Sequence, residues 1–152
     1  MKKSDKLILN IDSQAVGFVE DYVDQLFHRW SVNEIYMGNV VTSLSNLIFL
    51  LLDFQKGLQT QIIVSLDESE ISFLFSSLPK PVLKLFLKEY NLQDILDNAT
   101  QSVFLIQKIA DNILIEKGQL IITFQVGALP DSINEFRKKS LSNHQKSFPK
   151  TR

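Results

Sequence analysis

The chain has 152 residues, 45% hydrophobic and 22% charged, with 16 basic and 17 acidic side chains. These values lie near globular averages; they exclude a disordered chain, a collagen-like repeat and a supercharged polypeptide, and the length suits one domain better than two. A net charge of −1 argues against a general nucleic-acid coat, which needs excess Lys and Arg, and the lack of cysteine removes disulfides, thiolate zinc sites and thiol nucleophiles.

Residues 7–11 read as a short strand. Asp12 or Ser13 is then placed to cap a helix, because a short side-chain oxygen accepts a free N–H of the first turn. Val16, Val19, Val23, Leu26, Phe27 and Trp30 recur at helical spacing and define the buried face of that helix. Ser31 and Glu34 form a capping-box pattern ahead of a long helix over 32–54. It is apolar on most sides from 40 to 52, so it is expected at the centre of the helical layer. Residues 60–66 and 70–75 are rich in β-branched and aromatic side chains and predict a hairpin about Asp67, Glu68 and Ser69. Pro79 and Pro81 close its second strand, since proline cannot donate to a ladder. Short amphipathic helices are expected over 82–90 and 92–96. A further helix over 102–112, with Thr100 to Ser102 as its cap, leads into a second hairpin, 113–116 and 119–126, about Lys117 and Gly118. The order β-α-α-β-β-α-α-β-β pairs strands locally and places helices between the pairs. It predicts an α+β two-layer sandwich, with a mixed, mostly antiparallel five-stranded sheet covered on one face by helices.

Residues 1–126 read as a single domain and 127–152 as a basic C-terminal tail. From Gly127 onward Arg137, Lys138, Lys139, Lys146, Lys150 and Arg152 face only Asp131 and Glu135, a net of +4 that leaves −5 on the rest. A helix over 131–141 fits the tail, with Ile133, Phe136 and Leu141 as its apolar residues. The apolar stretch at 7–11 is too short for a signal peptide, and the run at 47–52 is far below the ~20 residues of a membrane span. The chain therefore reads as soluble and cytoplasmic, with neither nucleic acid nor membrane as a partner. His28 reads as a half-buried structural residue. Asp94 and Asp97 read as a solvated face of one short helix.

Four segments carry a resemblance. The first is 100–111, where Val103, Leu105, Ile106, Ile109, Ala110 and Asp111 fall in register with G-x-G-L-x-[LI]-[IV]-x-x-[LI]-[AM]-D. The second lies on the long helix, where Thr42 and Asn46 stand at E-x-x-x-N spacing, one turn apart on one face. The third is 77–81, opposite D-x-G-x-G, with Ser77 at the Asp position and Pro79 and Pro81 at the glycines. The fourth is the pair Thr100 and Ser102, at the two glycines that open the last helix.

Together with the element order, these segments resemble the GHKL (Bergerat-fold) ATPases, and within them the small anti-sigma-factor serine/threonine kinases, over residues 7–126. The resemblance implies the histidine-kinase-like ATPase fold. Asn46 matches the residue that helps hold Mg on the phosphates of ATP. Thr42 stands at the general-base position, where threonine has no basic form near neutral pH. Ser77 and Ser102 mark the adenine and phosphate positions, and proline cannot imitate glycine in a close-approach loop. The amides near Ser102 remain at a helix N-terminus that can hold an anion. Read without the family, Asn46 is a polar residue on a helix and 104–111 an ordinary amphipathic helix.

The resemblance implies a degenerate regulator that acts by protein–protein binding without turning over ATP. Its implied partners are a sigma factor or a STAS-domain antagonist, and a homodimer is compatible. The alternative within the family is a divergent ATP-binding serine/threonine kinase; outside it, an unrelated α+β fold. If the family applies, the long helix and the Ser102 helix should share one face of the sheet and flank a pocket. That pocket is expected to be small, with 78–96 packed over it where the family has a mobile lid.

Overall fold

The computed structural model describes residues 2–127. The expected helix over 131–141 and the tail charges lie outside the described residues. The strands are β1 (Lys2–Asn10), β2 (Gln59–Asp67), β3 (Glu70–Phe75), β4 (Asn112–Glu116) and β5 (Gln119–Gln125). The helices are α1 (Ala15–Arg29), α2 (Met37–Phe54), α3 (Lys80–Leu85) and α4 (Asn98–Ile109). The protein is an α+β two-layer sandwich, as the element order predicts.

The strands are ordered β1-β2-β3-β5-β4, and every pairing is antiparallel. The expected parallel component is therefore absent among the described residues. Each hairpin is closed locally, and the long excursions through α1–α2 and α3–α4 return strands to antiparallel neighbours. Lys117 and Gly118 both take positive φ at the β4–β5 turn, the backbone that a two-residue hairpin loop requires.

Registered residues point to one face, so the pairings sort the sheet into rows. Leu7, Ile62, Phe75, Leu120 and Ile115 form an apolar row across all five strands, facing the helices. The next row is Asp5, Val64, Phe73, Ile122 and Ile113, apolar except at the β1 edge. These side chains join Val23, Leu26 and Phe27 of α1, Leu44, Leu47, Ile48 and Leu51 of α2, and Val103 and Ile106 of α4 in one core. The helix α2 packs between α1 and α4. With the 3-10 turn Glu34–Tyr36 ahead of it, it forms a 21-residue stretch of mean hydropathy 1.7, long and apolar enough by composition to cross a bilayer. Val40, Leu44, Leu47, Ile48, Leu50 and Leu51 of this stretch are buried in the core, while Ile35, Phe49 and Phe54 are exposed.

Element boundaries differ from expectation where capping chemistry decides them. β1 begins five residues before the apolar stretch, because residues 2–6 pair in register with 63–67 of β2. Asp12 accepts from the Gln14 amide at 2.9 Å in a turn ahead of α1, and Gln14 takes the cap position. Asn33, not Ser31, caps the 3-10 turn, and Ser31 sits in the left-handed region at φ 56°. His28 is exposed, so it is not the half-buried residue expected.

The polar end of the second row is satisfied by α1. Asp5 Oδ2 accepts from the Tyr22 hydroxyl at 2.6 Å and from Arg29 Nη2 at 3.1 Å. The Tyr22 bond is the main cause holding the Asp5 carboxyl below its ordinary range. Burial, reinforced by that carboxylate, pushes the Tyr22 hydroxyl up. These shifts define two pH windows. Asp5 contributes stability fully above the ordinary carboxylate pKa of about 3.9, and loses it as pH falls through its lower folded value. Tyr22 contributes below about pH 10, and its share is lost as pH rises through the raised value. A Tyr22→Phe variant should lose about 1 kcal/mol at neutral pH, the discount reflecting the partial solvation of Asp5, and should show flatter acid and alkaline limbs in urea titrations.

One core group is unsatisfied. Ser43 Oγ on α2 is buried without a hydrogen-bond partner among the described residues. A buried orphan hydroxyl is costly, so Ser43→Ala should raise the unfolding free energy by about 1 kcal/mol, read as a higher urea midpoint at unchanged slope.

Candidate functional site

The expected arrangement of two helices forms. α2 and α4 lie side by side on one face of the sheet and flank a groove of about 410 Å³, lined by Asn46, Phe49 and Asp53 of α2 and by Asn98, Gln101, Ser102 and Leu105 of α4. Asn46 and Ser102, fifty-six positions apart in sequence, thus meet in one site. Ser77 and Thr42 are not among the groove's lining residues. Ser77 is exposed at the end of β3, with φ 64°. Thr42 is exposed one turn before Asn46, and its carbonyl accepts from Asn46 Nδ2 at 2.9 Å. The asparagine side chain is therefore engaged by its own helix.

The helix N-terminus also departs from expectation. α4 starts at Asn98, so Ser102 lies in its second turn, and the Gln101 amide already bonds the Asp97 carbonyl at 3.0 Å. Asp97 is the cap: its carboxylate accepts from the Thr100 amide at 2.9 Å, while Thr100 Oγ1 accepts from the Asp97 amide at 3.0 Å. The bond from the Thr100 amide is the main cause holding the Asp97 carboxyl below its ordinary range. The positive end of the helix, which attracts anions, thus already holds one. Asp94 closes a separate capping box with Asn91, so Asp94 and Asp97 cap successive turns and do not share a helix face.

The segment between β3 and α4 is folded inward. Pro79 caps α3 and Pro81 sits in its first turn, where a missing N–H costs nothing. The prolines that end the strand therefore also start a helix. Leu78, Val82, Phe86 and Tyr90 recur every fourth residue and are all buried in the core. Gln107 of α4 clamps the backbone beyond them, accepting from the Tyr90 amide at 2.9 Å and donating to the Lys88 carbonyl at 2.8 Å. Sequence reasoning missed this clamp; its only signal is a glutamine inside an apolar helix. Lys88 pairs with Asp94 at 3.5 Å and lies over the Tyr90 ring. The segment is thus packed into the core, but none of the residues 78–96 lines the α2–α4 groove that it was expected to cover.

The lining does not fit a magnesium triphosphate. The groove offers amides, a hydroxyl and the Asp53 carboxylate, with no Lys or Arg among its lining residues to meet phosphate charge. The Thr100 amide in the first turn of α4 is taken by the Asp97 carboxylate. Among the described residues no group of three His, Asp or Glu side chains gathers to hold a metal. The segment from α3 to α4 exposes Leu87, Leu92 and Leu96, and α2 exposes Phe49 on the groove. Large apolar side chains concentrated on one short segment mark a contact surface more often than a solvated loop.

Comparison with known proteins adds no name: no protein-family profile matches the chain, and no curated protein matches it.

Proposed function

We propose that the protein is a degenerate relative of the anti-sigma-factor serine/threonine kinases, a regulator that works in the cytoplasm by binding another protein and does not turn over ATP. The observation that carries this reading is the Asp97 carboxylate at the N-terminus of α4, where a nucleotide phosphate would have to lie. The exposed leucines at 87, 92 and 96 supply the contact surface. By the family resemblance the partner is a sigma factor or a STAS-domain antagonist, and the binding unit is compatible with a homodimer. Fold likeness alone does not fix function, so the reading rests on these residues.

The second reading is a divergent ATP-binding serine/threonine kinase. What favours it is the meeting of Asn46 and Ser102 in one groove. Calorimetric titration with ATP or ADP and magnesium separates the two. The first reading expects no heat, no thermal shift at millimolar nucleotide and no phosphate transfer to a STAS-domain protein. The second expects micromolar binding that Asn46→Ala abolishes; at a hundredfold excess over Kd such binding would stabilise the fold by about 2.7 kcal/mol.

A further inference from the structure

Among the described residues the sheet ends on β1 and β4, and the longer edge is β1, nine residues that pair with β2 alone. Where its backbone groups point follows from the residue just past its end. The Ile11 amide bonds the Leu58 carbonyl at 2.8 Å, and the Ile11 carbonyl accepts from the Gly57 amide at 2.8 Å. Ile11 thus turns both groups toward the β2 side. Direction alternates along a strand, so Ile8 and Asn10 turn theirs toward the open edge. Ile8 is also 57% exposed, an apolar side chain on an edge of the kind that folded proteins usually protect.

A groove of about 570 Å³ lies against this stretch of edge, between β1 and the first turns of α1. Half-exposed Phe18 gives it an apolar wall, and Gly17 leaves it open, with no atom within 4 Å of where a Cβ would stand. Its two charged lining residues, Asp12 and Asp21, are both acidic. An unpaired strand edge beside a helix is the geometry that receives an added strand: main-chain bonds hold the segment, and its alternate side chains are selected by the walls. Here the walls select an apolar side chain and a positive charge. A second copy of β1 suits the edge poorly. The register of fullest overlap of Lys2–Asn10 with itself sets Lys6 against its own counterpart, and like charges directly opposite destabilise a pair.

We propose that this groove takes an extended segment of a partner protein, paired to the open edge of β1 at Ile8 and Asn10, with an apolar side chain against Phe18 and an arginine or lysine at Asp21. The groove shares no residue with the α2–α4 groove or with the leucines at 87, 92 and 96, so it is a second site, independent of whether nucleotide binds at Asn46. The probe is the capped peptide Thr-Arg-Thr-Val-Thr-Arg-Thr, which presents Arg, Val and Arg on one face in either strand direction. Titrated into the full-length isotope-labelled protein, it should give saturable shifts at the amides of Ile8, Asn10 and Phe18 and none on β4. Ile8→Pro removes the outward amide and leaves the bonds to β2 in place, which an edge strand tolerates. It should weaken binding at least about tenfold. Asp21→Lys, a change at an exposed position, should weaken it as well, and that variant should prefer the same peptide with glutamate in place of arginine. No shifts, shifts centred on β4 or on the α2–α4 groove, or binding indifferent to either variant overturn the proposal. So do signals of Ile8 and Asn10 that move with protein concentration in the absence of peptide, which would place a second copy on the edge.

Discussion

A Phe73→Ala variant should lose about 3–5 kcal/mol of unfolding free energy, the cost of deleting an aromatic side chain from a closed core. Phe73 stands on β3, with β2 and β5 on either side, and is 1% exposed. Its ring meets Phe124 edge to face, with centroids 6.0 Å apart and planes at 81°. Such a pair adds about 0.5–1.5 kcal/mol beyond area burial, and alanine forfeits it along with the packing against the helices. A domain of this size has roughly 5–15 kcal/mol in total, so the urea midpoint should fall steeply. The matched control is Phe49→Ala on the rim of the α2–α4 groove, where a half-exposed ring should cost no more than about 0.5 kcal/mol. A loss below about 1 kcal/mol at Phe73 would mean that the two layers are not packed as described.

The contrast between Phe73 and Phe49 shows what could be read from the sequence. The β-branched and aromatic residues of 70–75 predict a strand, whose period of two puts Ile71, Phe73 and Phe75 on one face, and the structure buries all three. The spacing of Val16, Val19, Val23, Leu26, Phe27 and Trp30 likewise gives the buried side of α1, although Val16 is only partly buried and Ala15 takes the fully buried place beside it. Periodicity reports which side chains leave water, so burial was legible. Capping was not, because several polar residues in a row can each serve. Thr100 to Ser102 were expected to start α4, yet Asp97 does so, since its carboxylate and the Thr100 hydroxyl satisfy each other's backbone amides. That three-residue error matters for the site, because it moves Ser102 from a free helix end into the second turn. The pairing of Asn46 with Ser102 was foreseen only through the family resemblance; no local pattern links residues so far apart. The Tyr22–Asp5–Arg29 contact and the Gln107 clamp were invisible because they join polar residues across separate elements. The wholly antiparallel sheet follows from the strand order, which a list of elements leaves open.

A Val82→Asp variant should lose at least about 3 kcal/mol, because it forces a carboxylate into a fully buried site without a partner. The size of that loss decides what the 78–96 segment is. A polar residue on a mobile lid would cost little global stability. Here Leu78, Val82, Phe86 and Tyr90 belong to the same core as the sheet and α2, and Gln107 ties the backbone at Lys88 and Tyr90. The segment should therefore unfold with the rest of the domain in one transition. Amide exchange at Tyr90, whose N–H is held by Gln107, should be as slow as in β3 of the unmodified protein. If Val82→Asp leaves too little folded protein to titrate, Val82→Ala should still lower the urea midpoint, by about 2 kcal/mol or more of stability. An unchanged midpoint, with fast exchange confined to 78–96, would instead define a lid. A mobile segment would favour the kinase reading. A segment that cannot move without unfolding the domain would favour the proposed protein-binding reading.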